Sequence, residues 1–305
     1  IWSIPVYFYV GGLAGAASLL GVAADLGGRG RLEGLVRRCH WVGAVGDAVS
    51  GGLLIHDLGR PERFLHMLRV FRPKSPMSMG SWILAGSGAG NAAAVLLAHR
   101  RGLLGRLGRA ASFAGGTLGV PLAGYTAVLI TNTSVPLWQQ TYRTLPLLFM
   151  SSGVASCGAF LELFPQSRPE RRVVRSFTLG GTVAQLVATY AAEREASRSE
   201  AVIQPLKHGV PGALRRASKA CTMAGLGLSL WPGRQRWKTA AASALTTAGA
   251  LALRFAIFYA GKASARDPQA TFRAQREGLG AAEVGTASQV LRDARPDRFP
   301  LPVVR

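Results

Sequence analysis

Apolar positions along the chain come in long runs, not in the alternating or one-faced patterns of a soluble domain. About eight runs approach or reach the roughly 18 to 25 residues needed to cross a hydrocarbon core. They lie near residues 4–25, 41–57, 78–98, 113–131, 144–164, 174–192, 211–231 and 239–260, separated by short Arg-rich or Pro-rich connections. The second and sixth are the shortest, and the seventh has Arg215, Arg216 and Lys219 near its start. The stretch from Trp82 to Ala98 is apolar or small all round, unlike a helix with one face in water. The pattern predicts an all-α integral membrane protein with about eight transmembrane helices.

Composition sharpens this picture. Hydrophobic residues make up 49% of the chain and charged residues 17%, against about 25% charged in an ordinary soluble domain. Glycine is abundant, with 38 residues, and small residues let membrane helices approach closely. Gly11, Gly12 and Gly15 in the first run fit that use. The net charge of +21 comes from arginines at helix ends, where they meet lipid headgroups, and this argues against a nucleic-acid partner. Cys39, Cys157 and Cys221 are far apart and form no CxxC pair, so an iron–sulfur or zinc centre is not expected from this chain alone. The chain opens on Ile1, which leaves a preceding targeting segment open.

An even number of helices puts both ends of the chain on one side, here side A; side B is the other. Basic residues divide almost equally between the two sets of loops, so the positive-inside rule assigns no orientation. Two charges fall inside predicted helices, Asp47 and Arg254. A charge at bilayer depth is costly unless paired or wetted, which makes each a candidate for function or for a structural contact between helices. Arg254 is read as structural, and Asp47 stays open between the two. Glu162, near the end of the fifth run, is read as facing side-B headgroups. The polar tail from 263 to 305, with Pro268, Pro296, Pro300 and Pro302, is expected outside the membrane on side A. It either wraps a partner or is loosely ordered.

Reactive side chains are densest at the exit of the second run, Ile55-His56-Asp57-Leu58-Gly59-Arg60-Pro61-Glu62-Arg63-Phe64. Gly59 and Pro61 end the helix, and the amphipathic stretch through Arg72 should then lie flat. A neutral imidazole can donate a hydrogen bond to a quinone oxygen, and a partly buried carboxylate can relay the proton. His56 and Asp57 offer both. The plainer reading makes His56 a boundary histidine and Asp57 a cap or ion-pair partner of Arg60 or Arg63.

The stretch IHDLGRPERF followed by RVFRPKSPMSMGSW resembles the signature of the NrfD/polysulfide reductase (PsrC-like) membrane-subunit family. The opening Trp2, Pro5, Tyr7 to Tyr9 and Gly11-Gly12 is similar to that family's first helix. Gly124 to Ile130, then Val135 to Trp138 and Leu145 to Phe149, follow in the family's order. Leu253-Arg254-Phe255 through Gly261, with Ser264 to Pro268 after it, resembles the family's last helix.

The resemblance implies two four-helix bundles, residues 1–140 with a quinone site and residues 141–262, followed by the extramembrane tail. It implies a quinone-binding membrane anchor of a respiratory oxidoreductase in a prokaryotic cytoplasmic membrane. The anchor would exchange electrons with a ferredoxin-like iron–sulfur subunit, itself linked to a molybdopterin catalytic subunit, formate dehydrogenase being a common association. The quinone would be menaquinone or ubiquinone, with no haem or metal in this chain. Carried over by position, His56, Asp57 and Arg60 would lie at the headgroup, His56 and Asp57 handling protons, with Tyr125 reaching in and Asp47 as a proton relay. Asn132 and Trp138 are further candidates, against the alternatives of a helix cap and an interfacial aromatic.

Two rivals make distinct predictions. A b-type cytochrome anchor needs inward-facing histidine pairs, yet His40, His56, His66, His99 and His208 all fall at predicted helix ends or in loops. An ion or small-solute transporter or proton channel, suggested by Asp47 and Arg254, would carry flux without partners.

Overall fold

A computed structural model describes residues 2–266 apart from 29, 61, 70, 74, 98, 99, 101, 199, 233 and 234. Pro61, Lys74, His99, Asp267, Pro268 and the tail beyond lie outside the described residues. Among the described residues every regular element is a helix. The helices are α1 (Ser3–Gly28), α2 (Glu33–Leu58), α3 (Glu62–Arg69), α4 (Pro76–Leu97), α5 (Leu103–Thr131) and α6 (Pro136–Gln140), then α7 (Thr144–Glu162), α8 (Arg168–Ala196), α9 (Glu200–Lys207), α10 (Gly209–Leu230) and α11 (Arg236–Ala265).

Each of the eight apolar runs falls largely within one long helix. Four of those helices, α1, α5, α7 and α11, are long and apolar enough to cross a membrane by length and composition. The second and sixth runs, expected to be shortest, belong to helices of 26 and 29 residues. Charged residues extend both beyond the apolar stretch. On α2 the added turns carry Arg37, Arg38 and His40; on α8 the first turns hold a Ser167–Glu170 capping box that satisfies free backbone donors. The basic start of α10 is partly offset by Glu193 of α8, which pairs with Arg215 at 2.7 Å and with Lys219 at 2.5 Å. At the far end α11 runs to Ala265, so residues 263–265 are helical.

Packing follows the small residues. α1 lies against α2 and α5, α2 against α4, and α4 against α5; α7 lies against α8, α10 against α11, and α11 returns to α7. A Cβ on Gly15 would stand 2.5 Å from the Gly119 carbonyl oxygen, and one on Gly153 2.6 Å from the Gly12 carbonyl oxygen. The backbones of α1, α5 and α7 therefore approach to distances that side chains would forbid. α1 also contacts α7 and α11, and α5 contacts α7.

Candidate functional site

α2 ends where the sequence places its densest chemistry. Gly59 adopts φ +69°, a left-handed conformation that costs glycine nothing, and its N–H turns back to the His56 carbonyl at 3.4 Å. Arg63 of α3 reaches the Leu58 carbonyl at 3.5 Å. The chain then enters α3, a short, strongly one-faced helix, before α4 begins. His56 and Arg60 are exposed, and Asp57 is half-buried.

Asp57 is held from the start of α1: the buried Ser3 hydroxyl donates to its Oδ1 at 3.1 Å. Around this end lie Leu53, Leu54 and Ile83, partly buried against the main apolar cluster. Phe71 and Trp82 meet edge to face at 5.9 Å, and both are exposed. Tyr125 is buried on α5 against Gly80, so closely that a Cβ on Gly80 would overlap its ring.

The other candidates are engaged elsewhere. Asn132 donates from Nδ2 to the Val128 carbonyl of its own helix at 2.9 Å. Trp138 donates to the Ile257 carbonyl at 3.0 Å, stacks on Phe258 and borders a small cavity of about 40 Å³ among α6 to α11. Arg254 is buried, donates to the Phe149 carbonyl at 2.9 Å and lies over that residue's ring.

Asp47 belongs to a buried polar cluster. Ser87 and Asn91, one turn apart on α4, donate to its Oδ2 at 2.8 and 2.9 Å. Asn91 also lies 2.7 Å from Ser18 of α1. These two residues interrupt the stretch read as apolar or small all round, and they share one face of α4. Their spacing of four residues was the available signal. His40 likewise departs from expectation: it lies within α2, buried, with Nε2 2.7 Å from the Ser112 hydroxyl of α5. His66 is within α3, and His208 precedes the first residue of α10. Among the described residues no group of three or more His, Cys, Asp or Glu gathers that could hold a metal ion.

Long apolar helices, glycine-mediated contacts and buried polar residues between helices define a multi-pass α-helical membrane protein. Residues 1–265 match the family described as polysulphide reductase, NrfD. The chain belongs to this family of membrane subunits of respiratory oxidoreductases. The curated proteins give no match to it.

Proposed function

We propose that the chain is the quinone-handling membrane subunit of a respiratory oxidoreductase complex. In this reading its eight long helices all cross a prokaryotic cytoplasmic membrane. α1, α2, α4 and α5 form the first four-helix bundle, within residues 1–140, and α7, α8, α10 and α11 the second, within 141–262. Family membership supports an iron–sulfur partner and, beyond it, a molybdopterin catalytic subunit, with formate dehydrogenase one such enzyme.

The observation that carries the reading is the Ser3–Asp57 contact, which holds a half-buried carboxylate one residue along α2 from the exposed His56. These residues fit a quinone. His56 and Arg60 supply donors, Asp57 an acceptor that can carry a proton, and Leu53, Leu54 and Ile83 an apolar surface. A bound menaquinone or ubiquinone would accept or release electrons and protons at its ring oxygens. His56 donates to one such oxygen, Asp57 holds the proton to be exchanged, and Arg60 steadies the carboxylate. Tyr125 has a hydroxyl and a buried ring that can line the same slot. Asp47 is the proton relay. Asn132, with a second N–H and its carbonyl left over, and Trp138, whose one donor is held by Ile257, are further candidates for the quinone site.

The test is purification of the tagged chain in mild detergent with its companions, followed by quinone turnover of His56→Ala and Asp57→Asn. Companions bearing iron–sulfur and molybdopterin centres, with both variants assembled but falling about 100-fold or more in turnover, support the reading. A chain that purifies alone and carries flux by itself would favour transport instead.

A further inference from the structure

We infer that an anionic phospholipid binds at the side-B end of α1, α2, α4 and α5, with its phosphate seated among Arg37, Arg100 and Arg109 in the cavity between these helices. The inference uses the membrane crossing of the four helices proposed above and is independent of the quinone site.

The cavity is open and measures about 430 Å³, within the size range of small-molecule sites. Arg37 and His40 line it from one face of α2. Gly105, Gly108, Arg109 and Ser112 line it from α5, where their spacing of i, i+3, i+4 and i+7 puts them on one face. A Cβ on Gly105 would stand 2.4 Å from the Arg100 carbonyl oxygen, and one on Gly108 2.9 Å from the Leu97 Cβ. With no side chain at these two positions, the end of α4 and the chain after it lie against α5. That contact brings Arg100 to the same cavity as Arg109.

Charge selects the ligand. Arg37, Arg100 and Arg109 are exposed, and among the described residues none of the three side chains has an ion pair or a hydrogen bond. The neighbouring Arg38, by contrast, is paired with Glu170. Asp25 and Glu33 also line the cavity, so three guanidinium groups share it with two carboxylates that do not pair with them. The excess is positive. Guanidinium forks match the oxygens of a phosphate group, and basic pockets between membrane helices suit lipid headgroups. Buried His40 and Ser112, 2.7 Å apart, give the cavity a polar floor.

A free phosphate ion offers the same oxygens, but the surface around the cavity favours a lipid. Leu26, Leu96, Leu104 and Leu107 are exposed, and each is next in sequence to a residue that lines the cavity. In a membrane these leucines give acyl chains an apolar surface beside the basic pocket.

The test titrates phosphatidylglycerol, phosphatidylcholine and inorganic phosphate into the full chain in mild detergent, together with any companions that purify with it. Native mass spectrometry reads binding, and thermal unfolding reads stabilisation. Phosphatidylglycerol is expected to bind about tenfold or more tightly than phosphatidylcholine and to raise the unfolding temperature. Arg100→Gln/Arg109→Gln is expected to weaken phosphatidylglycerol binding about 30-fold and Arg37→Gln about fivefold. Arg168→Gln/Arg172→Gln, which removes two exposed arginines of α8 away from the cavity, is expected to leave it unchanged. Equal binding of the two lipids overturns the site, and this comparison on the native chain decides even where a variant fails to fold. An equal loss in the α8 variant overturns the location. Inorganic phosphate that binds and stabilises where phosphatidylglycerol does neither overturns the lipid as the occupant.

Discussion

Ser3 and Asp57, 54 residues apart in sequence, meet at 3.1 Å where α1 begins and α2 ends. The hydroxyl occupies one carboxylate oxygen and aims the other, so the serine positions a group that the proposed chemistry uses. Ser3→Ala removes this one hydrogen bond, worth about 1 kcal/mol, or about fivefold. We expect the variant to assemble normally and to turn over quinone about fivefold more slowly, well short of the loss in Asp57→Asn. Parallel turnover assays on the two variants check the ranking.

Gly80 and Tyr125 are fitted to each other: a Cβ on Gly80 would stand 1.6 Å from the Tyr125 Cζ. Gly80→Ala must therefore push the ring aside or part α4 from α5. Overpacking of this kind costs about 1 to 3 kcal/mol. Thermal unfolding in detergent is expected to fall for Gly80→Ala and to recover in the double variant Gly80→Ala/Tyr125→Ala. Quinone turnover is expected to recover less, because the phenol is then gone.

How much of this was legible in the sequence depends on the range of the interaction. The end of α2 was readable because Gly59 is a local signal, and a left-handed glycine stops the helix where the sequence places it. The start of α2 was not: the apolar run begins at 41, yet the helix begins at Glu33 because Arg38 meets Glu170 and His40 meets Ser112. Those partners lie 132 and 72 residues away, and periodicity carries no trace of them. Asp47 was visible as a charge at bilayer depth, but its partners Ser87 and Asn91 lay in a segment judged by its apolar average. Small polar residues hide in such an average; their spacing of four residues on one face does not. Tyr125 became a candidate only through family resemblance, since a tyrosine in an apolar run has no pattern of its own.

Arg38 and Glu170 link α2 to the start of α8, with Nη2 and Oε2 2.8 Å apart. Glu170 also accepts the Ser167 N–H at 2.8 Å in the capping box, and Arg38 reaches the Pro165 carbonyl. Glu170→Ala removes both the cap and the ion pair and is expected to cost about 1 to 3 kcal/mol. Glu170→Gln keeps an acceptor for the cap and is expected to lose less. Unfolding of the two variants in detergent, with Arg38→Ala completing a double-mutant cycle, measures the coupling between the two helices.

Arg254 is 1% exposed, yet its described partners are the Phe149 carbonyl at 2.9 Å and the Phe149 ring, whose centroid lies 3.7 Å from Cζ. Its Nε and Nη1 have no hydrogen-bond partner among the described residues. The balance is between desolvation, which opposes a buried cation, and the cation–π contact, worth about 2 kcal/mol when desolvated. A methionine fills similar volume without the charge, so Arg254→Met is expected to unfold within about 2 kcal/mol of the native chain. Arg254→Ala instead leaves a cavity between α1, α7 and α11 and is expected to lose about 2 to 5 kcal/mol. If both variants assemble and only Arg254→Ala is destabilised, the residue serves packing. A full-stability Arg254→Met that loses quinone turnover would show that the charge itself is needed, and Arg254 would then be a functional charge at bilayer depth.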